Sequence, residues 1–307
     1  MIGFVSRIVL IVALGVFNLE AAPRTEHVFI ISIDGGSPAV MRRSPMPVLK
    51  KLVQEGAVTW TAQTIRPSIT LPAHASMLTG VRMQKHGISW NDWVPTNPIV
   101  SVPTVFTAAK AAGFSTAMFV AKEKFRHLLQ PGTVDEFCFD PATSRAVLKS
   151  DSGAGKMKME SNVSAAAVAA NAAAYIVRHK PGVCFIHFAD PDSVGHKHGW
   201  GSPEQVKAFA EVDAALGEIR RAIQQAGIAK HSVIIITADH GGHGKGHTEN
   251  IPEVMDIPWV VWGQGVKPGF KIAARVNTCD TAATALWLMG LKPAVPLDGA
   301  VVSSAFE

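Results

Sequence analysis

Ser232–His247 reads SVIIITADHGGHGKGH, and its first half decides the fold. Val233–Ile236 is a short β-branched run that Thr237–Ala238 ends, and a glycine-rich loop with adjacent Asp239 and His240 follows. An apolar run this short, stopped by glycines, has the pattern of a strand buried on both faces of a parallel sheet. In open parallel sheets the ligand crevice lies beyond the carboxyl ends of the strands. Asp239, His240, His243 and His247 would stand there. A carboxylate and three imidazoles within nine residues are costly in a core, and they are donors that hold a transition metal. Gly241, Gly242, Gly244 and Gly246 let the backbone turn tightly enough for two side chains to reach one ion. A polar surface loop would read similarly, so Asp-His needs partners elsewhere in the chain.

Two other strong strands end alike. His27–Ile33 (HVFIISI) runs into Asp34-Gly35-Gly36, and Val183–Phe188 runs into a stretch holding Asp192 and His196. Those two are four apart, so one turn of irregular or helical chain can aim both at one ion. In a parallel sheet all three strand ends open on the same edge. In Arg66–Gly80, RPSITLPAHASMLTG, Pro72 favours the first turn of a helix and places Thr70 at or just before its N-terminus. Free amides and the helix dipole favour an anion there; taken alone, the stretch reads as an ordinary threonine N-cap. The donors suffice for two metal sites. Two ions about 3.5–4 Å apart would clamp the attacking and leaving oxygens of a displacement at phosphorus. Mixed imidazole and carboxylate ligands suit zinc better than magnesium.

Helices are expected at Pro45–Gly56 from its apolar spacing, at Val163–His179 from its alanine content, at the amphipathic Pro203–Ala226, and at Thr104–Ala112 and Thr281–Met289, with further strands at Val58–Thr61, Ser115–Val120 and Ile257–Trp262. The alternation predicts one α/β domain over residues 23–307, a three-layer α/β/α sandwich with a mostly parallel central sheet. Asp140–Glu160 shows no period and contains Gly153 and Gly155, the pattern of a flap. Hydrophobic residues make up 48% of the 307, which excludes a disordered chain. The net charge of +5 is scattered rather than striped, which suits an anionic substrate and gives no sign of specific nucleic-acid binding. Residues 1–22 carry Arg7, the apolar run Ile8–Phe17 and a small-residue cleavage site, the layout of a secretory signal. Ten apolar residues are too few to span a bilayer, so the mature chain is expected to be exported, periplasmic or secreted; an uncleaved anchor is the alternative. Cys138, Cys184 and Cys279 are an odd count that allows one disulfide without demanding it.

From Val28 to Trp262 the pattern resembles the alkaline phosphatase superfamily, in particular its nucleotide pyrophosphatase/phosphodiesterase branch. The resemblance rests on five ordered blocks: FIISIDGG, RPSITLPAHASMLTG, KHGISWND, FADPDSVGHKHG and ITADHGGHGKGH. It implies an alkaline phosphatase-like fold and two divalent metal ions, in keeping with zinc. One would be held by Asp34, Thr70, Asp239 and His240, the other by Asp192, His196 and a later histidine. His247, in GKGHTE, resembles the GSHG histidine of the phosphoethanolamine transferase branch and is taken over His243 as that ligand. Asn91 matches the family asparagine that binds a non-bridging phosphate oxygen. His74 and His86 read as residues that support the ligands or the structure rather than as ligands, His187 as a satisfied core histidine, and Asp190 as a turn former, with His198 open between solvent and substrate. The implied activity is hydrolysis of a small phosphodiester or pyrophosphate, nucleotide-like in class, through a Thr70 nucleophile and a phosphothreonine intermediate. A phosphomonoesterase would bring a cation to the third oxygen, which Lys122, Lys245 or Lys156–Lys158 would supply; a phosphonate hydrolase shares the same site. A sulfatase fits less well, because threonine cannot give formylglycine and His74 stands at that family's arginine position. The rival of another class is an exported metal-binding interaction protein without turnover.

Overall fold

Valine, isoleucine and phenylalanine crowd the short runs between glycines, and those runs form the strands. A computed structural model describes residues 25–150 and 157–307, so the expected signal at 1–22 lies outside the described residues. The strands are β1 (His27–Ile33), β2 (Ala57–Gln63), β3 (Thr116–Val120), β4 (Glu136–Cys138), β5 (Ser144–Ser150), β6 (Met157–Val163), β7 (Val183–Phe188), β8 (Ser232–Thr237), β9 (Asp256–Gly263) and β10 (Phe270–Lys271). Eight of them form one sheet in the order β10-β2-β9-β8-β1-β7-β3-β4. From β8 to β4 neighbours run parallel, whereas β9 runs antiparallel to both β8 and β2. The expected mostly parallel sheet is therefore present.

Both faces of the sheet are covered, which is why β1, β7 and β8 read as predominantly apolar runs rather than alternating ones. Val28 and Ile30 pack on one side with Leu71, Leu78, Phe106 and Leu286, from helices Thr70–Thr79, Val105–Ala111 and Asp280–Leu288. Phe29, Ile31 and Ile33 pack on the other with Leu49, Ile176, Phe209 and Leu216, from helices Pro47–Glu55, Ala165–His179 and Pro203–Gln225. Each such side chain, fully buried, contributes about 1.5–3 kcal/mol, so the register that buries both sets is strongly specified. In that register Ile33 lies opposite Phe188, and Ser32 opposite Thr237. The carboxyl ends of the three strands are thus level. The stretch expected as a flap carries the antiparallel pair β5–β6, separate from the main sheet. It is fastened at one end, where the Val163 amide donates to Ala121 O and Asn162 bridges Lys122. None of Cys138, Cys184 and Cys279 is disulfide-bonded, and Cys184 is buried in β7.

His86 closes the short helix Met83–His86 and is structural, as its sequence context suggested. Its Nδ1 accepts from the Ile88 amide at 3.1 Å, so Nε2–H donates to Ser76 Oγ at 3.0 Å. Burial lowers its pKa from the ordinary 6.5 to about 4. The unfolded chain then takes up the proton before the folded one. The stability this group contributes is full above about pH 6.5 and is lost as pH falls toward 4. The urea midpoint of His86→Gln should fall less steeply with acidification across that window than that of the wild type. Identical slopes would show that His86 does not control it.

Candidate active site

Four adjacent parallel strands, β8, β1, β7 and β3, end on the same edge, and the chain beyond each carries a charged residue. Asp34 follows β1 directly, Asp192 lies in helix Asp190–His198 after β7, and Asp239 and Lys122 each lie two residues past β8 and β3. All four side chains are completely buried. The backbone must bend sharply to bring them together. Gly35 adopts φ +70°, its amide donates to Asp239 Oδ1 at 3.1 Å, and a Cβ there would lie 2.9 Å from Asp192 Cα.

Two donor groups result. Asp34, Asp239 and His240 form the first, and Asp192, His196 and His247 the second; within each the ligand atoms lie within 4.8 Å of one another. His240 Nε2 stands 3.5 Å from Asp34 Oδ1 and 3.3 Å from Asp239 Oδ2. His196 Nε2 stands 3.1 Å from Asp192 Oδ1 and 3.2 Å from His247 Nε2. Donors bound at about 2.0–2.2 Å around a tetrahedral ion lie roughly 3.3–3.6 Å apart, so both groups have the dimensions of a cage.

The histidine rings are oriented for the same purpose. Nδ1–H donates to a backbone carbonyl in each: His240 to Gly241 O at 2.8 Å, His247 to Ser68 O at 2.6 Å, and His196 to Lys245 O at 3.0 Å. A carbonyl only accepts, so the Nδ1–H tautomer of each ring turns its Nε2 lone pair inward, the form that binds metal. Burial lowers the pKa of His240, which keeps that ring neutral. Asp34 Oδ1, Thr70 Oγ1, Asp239 Oδ2 and His240 Nε2 are buried and make no hydrogen bond among the described residues. Each such atom costs about 1–3 kcal/mol, and facing acceptor atoms repel besides. A divalent cation relieves both costs, so the residues present fit one.

Lys122 supplies the charge that the fold itself contains. Its Nζ lies 2.6 Å from Asp34 Oδ2 and 2.8 Å from Asp192 Oδ2, joining one carboxylate of each group. At Asp34, burial and the Asp192 charge push upward, but Lys122 and the His187 hydrogen bond hold the carboxyl well below the usual range. At Asp239, burial and then the Asp34 charge push it well above. His187 is therefore more than the satisfied core residue its strand position suggested. Its Nε2 lies 3.0 Å from Asp34 Oδ2, and its buried Nδ1 has no hydrogen-bond partner among the described residues.

Thr70 is the first residue of helix Thr70–Thr79, but Ile69 occupies the N-cap position and no side chain caps the helix. The ordinary N-cap reading fails, and the threonine hydroxyl is left buried without a hydrogen-bond partner among the described residues. His74, one turn further on, ties this helix to the first donor group: its Nδ1 lies 2.7 Å from the Thr70 backbone carbonyl and 3.8 Å from Asp239 Oδ2, and its Nε2 lies 2.7 Å from Ser32 Oγ. Asn91 Oδ1 accepts from the Leu71 amide at 2.8 Å, which sets this side chain against the first helical turn. The remaining candidates fall outside. His243 is exposed and pairs with Glu249 at 2.9 Å, His198 is exposed, and Asp190 accepts from the Ala165 amide at 2.9 Å to fasten a helix start.

Sequence reading gave Lys122 only a conditional place and missed Trp200. Lys122 obeys the rule that found the aspartates, a residue just past a parallel strand. Trp200 carries no such signal. Its Nε1–H donates to Gly35 O at 3.1 Å, and its ring lies 5.2 Å from that of His196 and 5.9 Å from that of His247. Gly242 makes room for it, since a Cβ there would lie 2.1 Å from the indole.

Residues 28–257 match the family described as type I phosphodiesterase / nucleotide pyrophosphatase. Ectonucleotide pyrophosphatase/phosphodiesterase family member 7 of Mus musculus is 24% identical over 260 residues, 77% of this chain and 55% of its own. Bis(5'-adenosyl)-triphosphatase enpp4 of Xenopus laevis is 23% identical over 226 residues, 71% of this chain and 47% of its own. The chain thus spans about half the length of these curated relatives. Murine ectonucleotide pyrophosphatase/phosphodiesterase 5, in an inactive form in complex with AMP, superposes with a TM-score of 0.72 at 14% identity, covering 92% of this chain and 100% of that one. A 2-O GAG sulfatase superposes with a TM-score of 0.68 at 13% identity, covering 92% and 74%. These two likenesses establish the alkaline phosphatase-like fold. On the match over most of its length, the chain belongs to the type I phosphodiesterase/nucleotide pyrophosphatase family.

Proposed function

We propose that this chain hydrolyses phosphodiester or pyrophosphate bonds with Thr70 as the nucleophile. The observation that carries the reading is the buried Thr70 hydroxyl, without a hydrogen-bond partner among the described residues, on a helix whose His74 lies 3.8 Å from Asp239 of the first donor group. Asp34, Thr70, Asp239 and His240 would hold one divalent cation, and Asp192, His196 and His247 the other, a donor set that suits zinc. When bound, the two cations supply Lewis-acid stabilisation around phosphorus and lower the pKa of the threonine hydroxyl.

Thr70 Oγ1 attacks phosphorus in line with the leaving oxygen. Its proton passes to solvent and its bond to phosphorus forms as the bond to that oxygen breaks; the leaving group departs, and the phosphoryl group, with any second ester substituent, stays on Thr70 as a phosphothreonine. Water then attacks the same phosphorus, and Thr70 leaves and regains its proton. Asn91, held through Oδ1 by the Leu71 amide, offers Nδ2 to a non-bridging oxygen as negative charge gathers there. The nucleotide-directed names of the relatives and the AMP complex of a structural neighbour support a nucleotide-like substrate. An exported location follows from the proposed signal at 1–22; among the described residues no helix is long and apolar enough to cross a membrane.

One observation favours a second reading, a phosphomonoester or phosphonate. Lys122 places a buried cation between the two donor groups, where a doubly charged terminal phosphoryl group would benefit more than a singly charged diester. Hydrolysis of bis-p-nitrophenyl phosphate and of p-nitrophenyl phosphate, each with and without chelator, separates the two. Preferential hydrolysis of the diester, lost on chelation and restored by zinc, is expected. Preference for the monoester would replace it with the second reading, and metal binding without hydrolysis of either would leave an interaction protein.

A further inference from the structure

A cavity of about 400 Å³ is lined by Arg66, Arg82, Arg275, Gln84, Asn250 and Asn277. It lies outside the proposed catalytic residues. The acid in its wall, Asp298, is already engaged: Lys85 Nζ lies 2.5 Å from Oδ1, and the Arg82 amide donates to Oδ2 at 2.8 Å. Neither Arg66 nor Arg275 has a carboxylate within ion-pair distance among the described residues. Three guanidiniums therefore share one crevice with a single, occupied counter-charge.

That combination suits an anion of several charges. Guanidinium groups take phosphate oxygens in planar, paired hydrogen bonds, and the side-chain amides of Gln84 and Asn250 add neutral donors, while that of Asn277 is hydrogen-bonded to Asp280. The volume falls in the roughly 300–1,000 Å³ range of small-molecule sites, more than one tetrahedral oxyanion requires. The cavity also shares its backbone with the centre. Its wall at Thr64 donates from Oγ1 to Asp239 O, and the same segment continues through Ser68, whose carbonyl orients His247, to Thr70. Asn250 ends the loop that carries His240 and His247.

We propose that this cavity is a second anion site, taking a ligand that bears two or more linked phosphate groups. Such a ligand has two sources: the distal phosphates of a substrate held at the catalytic centre, or a separate oligophosphate. Binding is measured on the metal-loaded protein by titration with tripolyphosphate, with zinc content checked before and after. The comparison is between the wild type and the double variant Arg66→Gln/Arg275→Gln. Saturable binding to the wild type and at least tenfold weaker binding to the variant are expected, with hydrolysis of bis-p-nitrophenyl phosphate equal in both. Equal affinity in the two proteins, or no saturable binding to the wild type, overturns the proposal. A raised KM of the variant for diadenosine triphosphate assigns the site to the substrate's distal phosphates. A tripolyphosphate effect on bis-p-nitrophenyl phosphate turnover, seen in the wild type alone, assigns it to a separate oligophosphate. The titration reads binding without turnover, so it fails or succeeds separately from the proposed hydrolysis.

Discussion

Thr70→Ala is expected to lower kcat on bis-p-nitrophenyl phosphate by roughly 10⁴-fold or more, the scale of losing a nucleophile. The same variant should retain metal. Asp34, Asp239 and His240 remain as three donors of the first group, and Asp192, His196 and His247 are untouched. It should also fold at least as stably as the wild type, because the lost hydroxyl is buried and makes no hydrogen bond among the described residues. Removing a polar atom in that state relieves a desolvation cost rather than breaking a contact. Turnover, zinc content and thermal midpoint together make the test specific. A variant with wild-type kcat would reject Thr70 as nucleophile, while loss of both metal and fold would show that the residue is structural. Thr70→Ser, which keeps the hydroxyl, should recover a measurable rate.

Lys122→Met is expected to destabilise the metal-free protein by about 3–5 kcal/mol, the cost of stranding buried carboxylates that have lost their partner. Asp34 and Asp192 are both completely buried, and Lys122 spans them. With zinc bound the loss should shrink, because the cations then supply counter-charge to the same carboxylates. By linkage, zinc must stabilise the variant more than it stabilises the wild type. Urea unfolding of both proteins, with chelator and with saturating zinc, gives the four numbers required. Equal destabilisation in both states would mean that the ammonium is not standing in for positive charge at the metal-ligand groups.

Legibility in the sequence followed covering and chain direction. The β1, β7 and β8 runs are mostly apolar on both faces because helices bury both faces of the sheet, and that condition leaves a pattern in the residues themselves. Asp34, Asp192 and Asp239 were readable because each follows such a run, and strand ends in a parallel sheet share an edge. His196 was readable from its spacing of four from Asp192 along a helix. The choice of His247 over His243 came from resemblance alone, since both lie in the same glycine-rich loop. Packing separates them: His247 is buried against Ser68 and His196, and His243 faces Glu249 in solvent.

The residues by themselves determined the strand ends, the donor types offered there and the helix that starts at Thr70, because each depends on neighbours within one or two turns of chain. Tertiary structure alone decided the contacts among segments far apart in sequence. Lys122 meets Asp34 and Asp192 across 88 and 70 residues, and Trp200 reaches Gly35 across 165. Arg66, Arg82 and Arg275 line one cavity from three separate segments. No local periodicity encodes such meetings. They arise from the strand order, which is settled by how both faces of the sheet are buried at once.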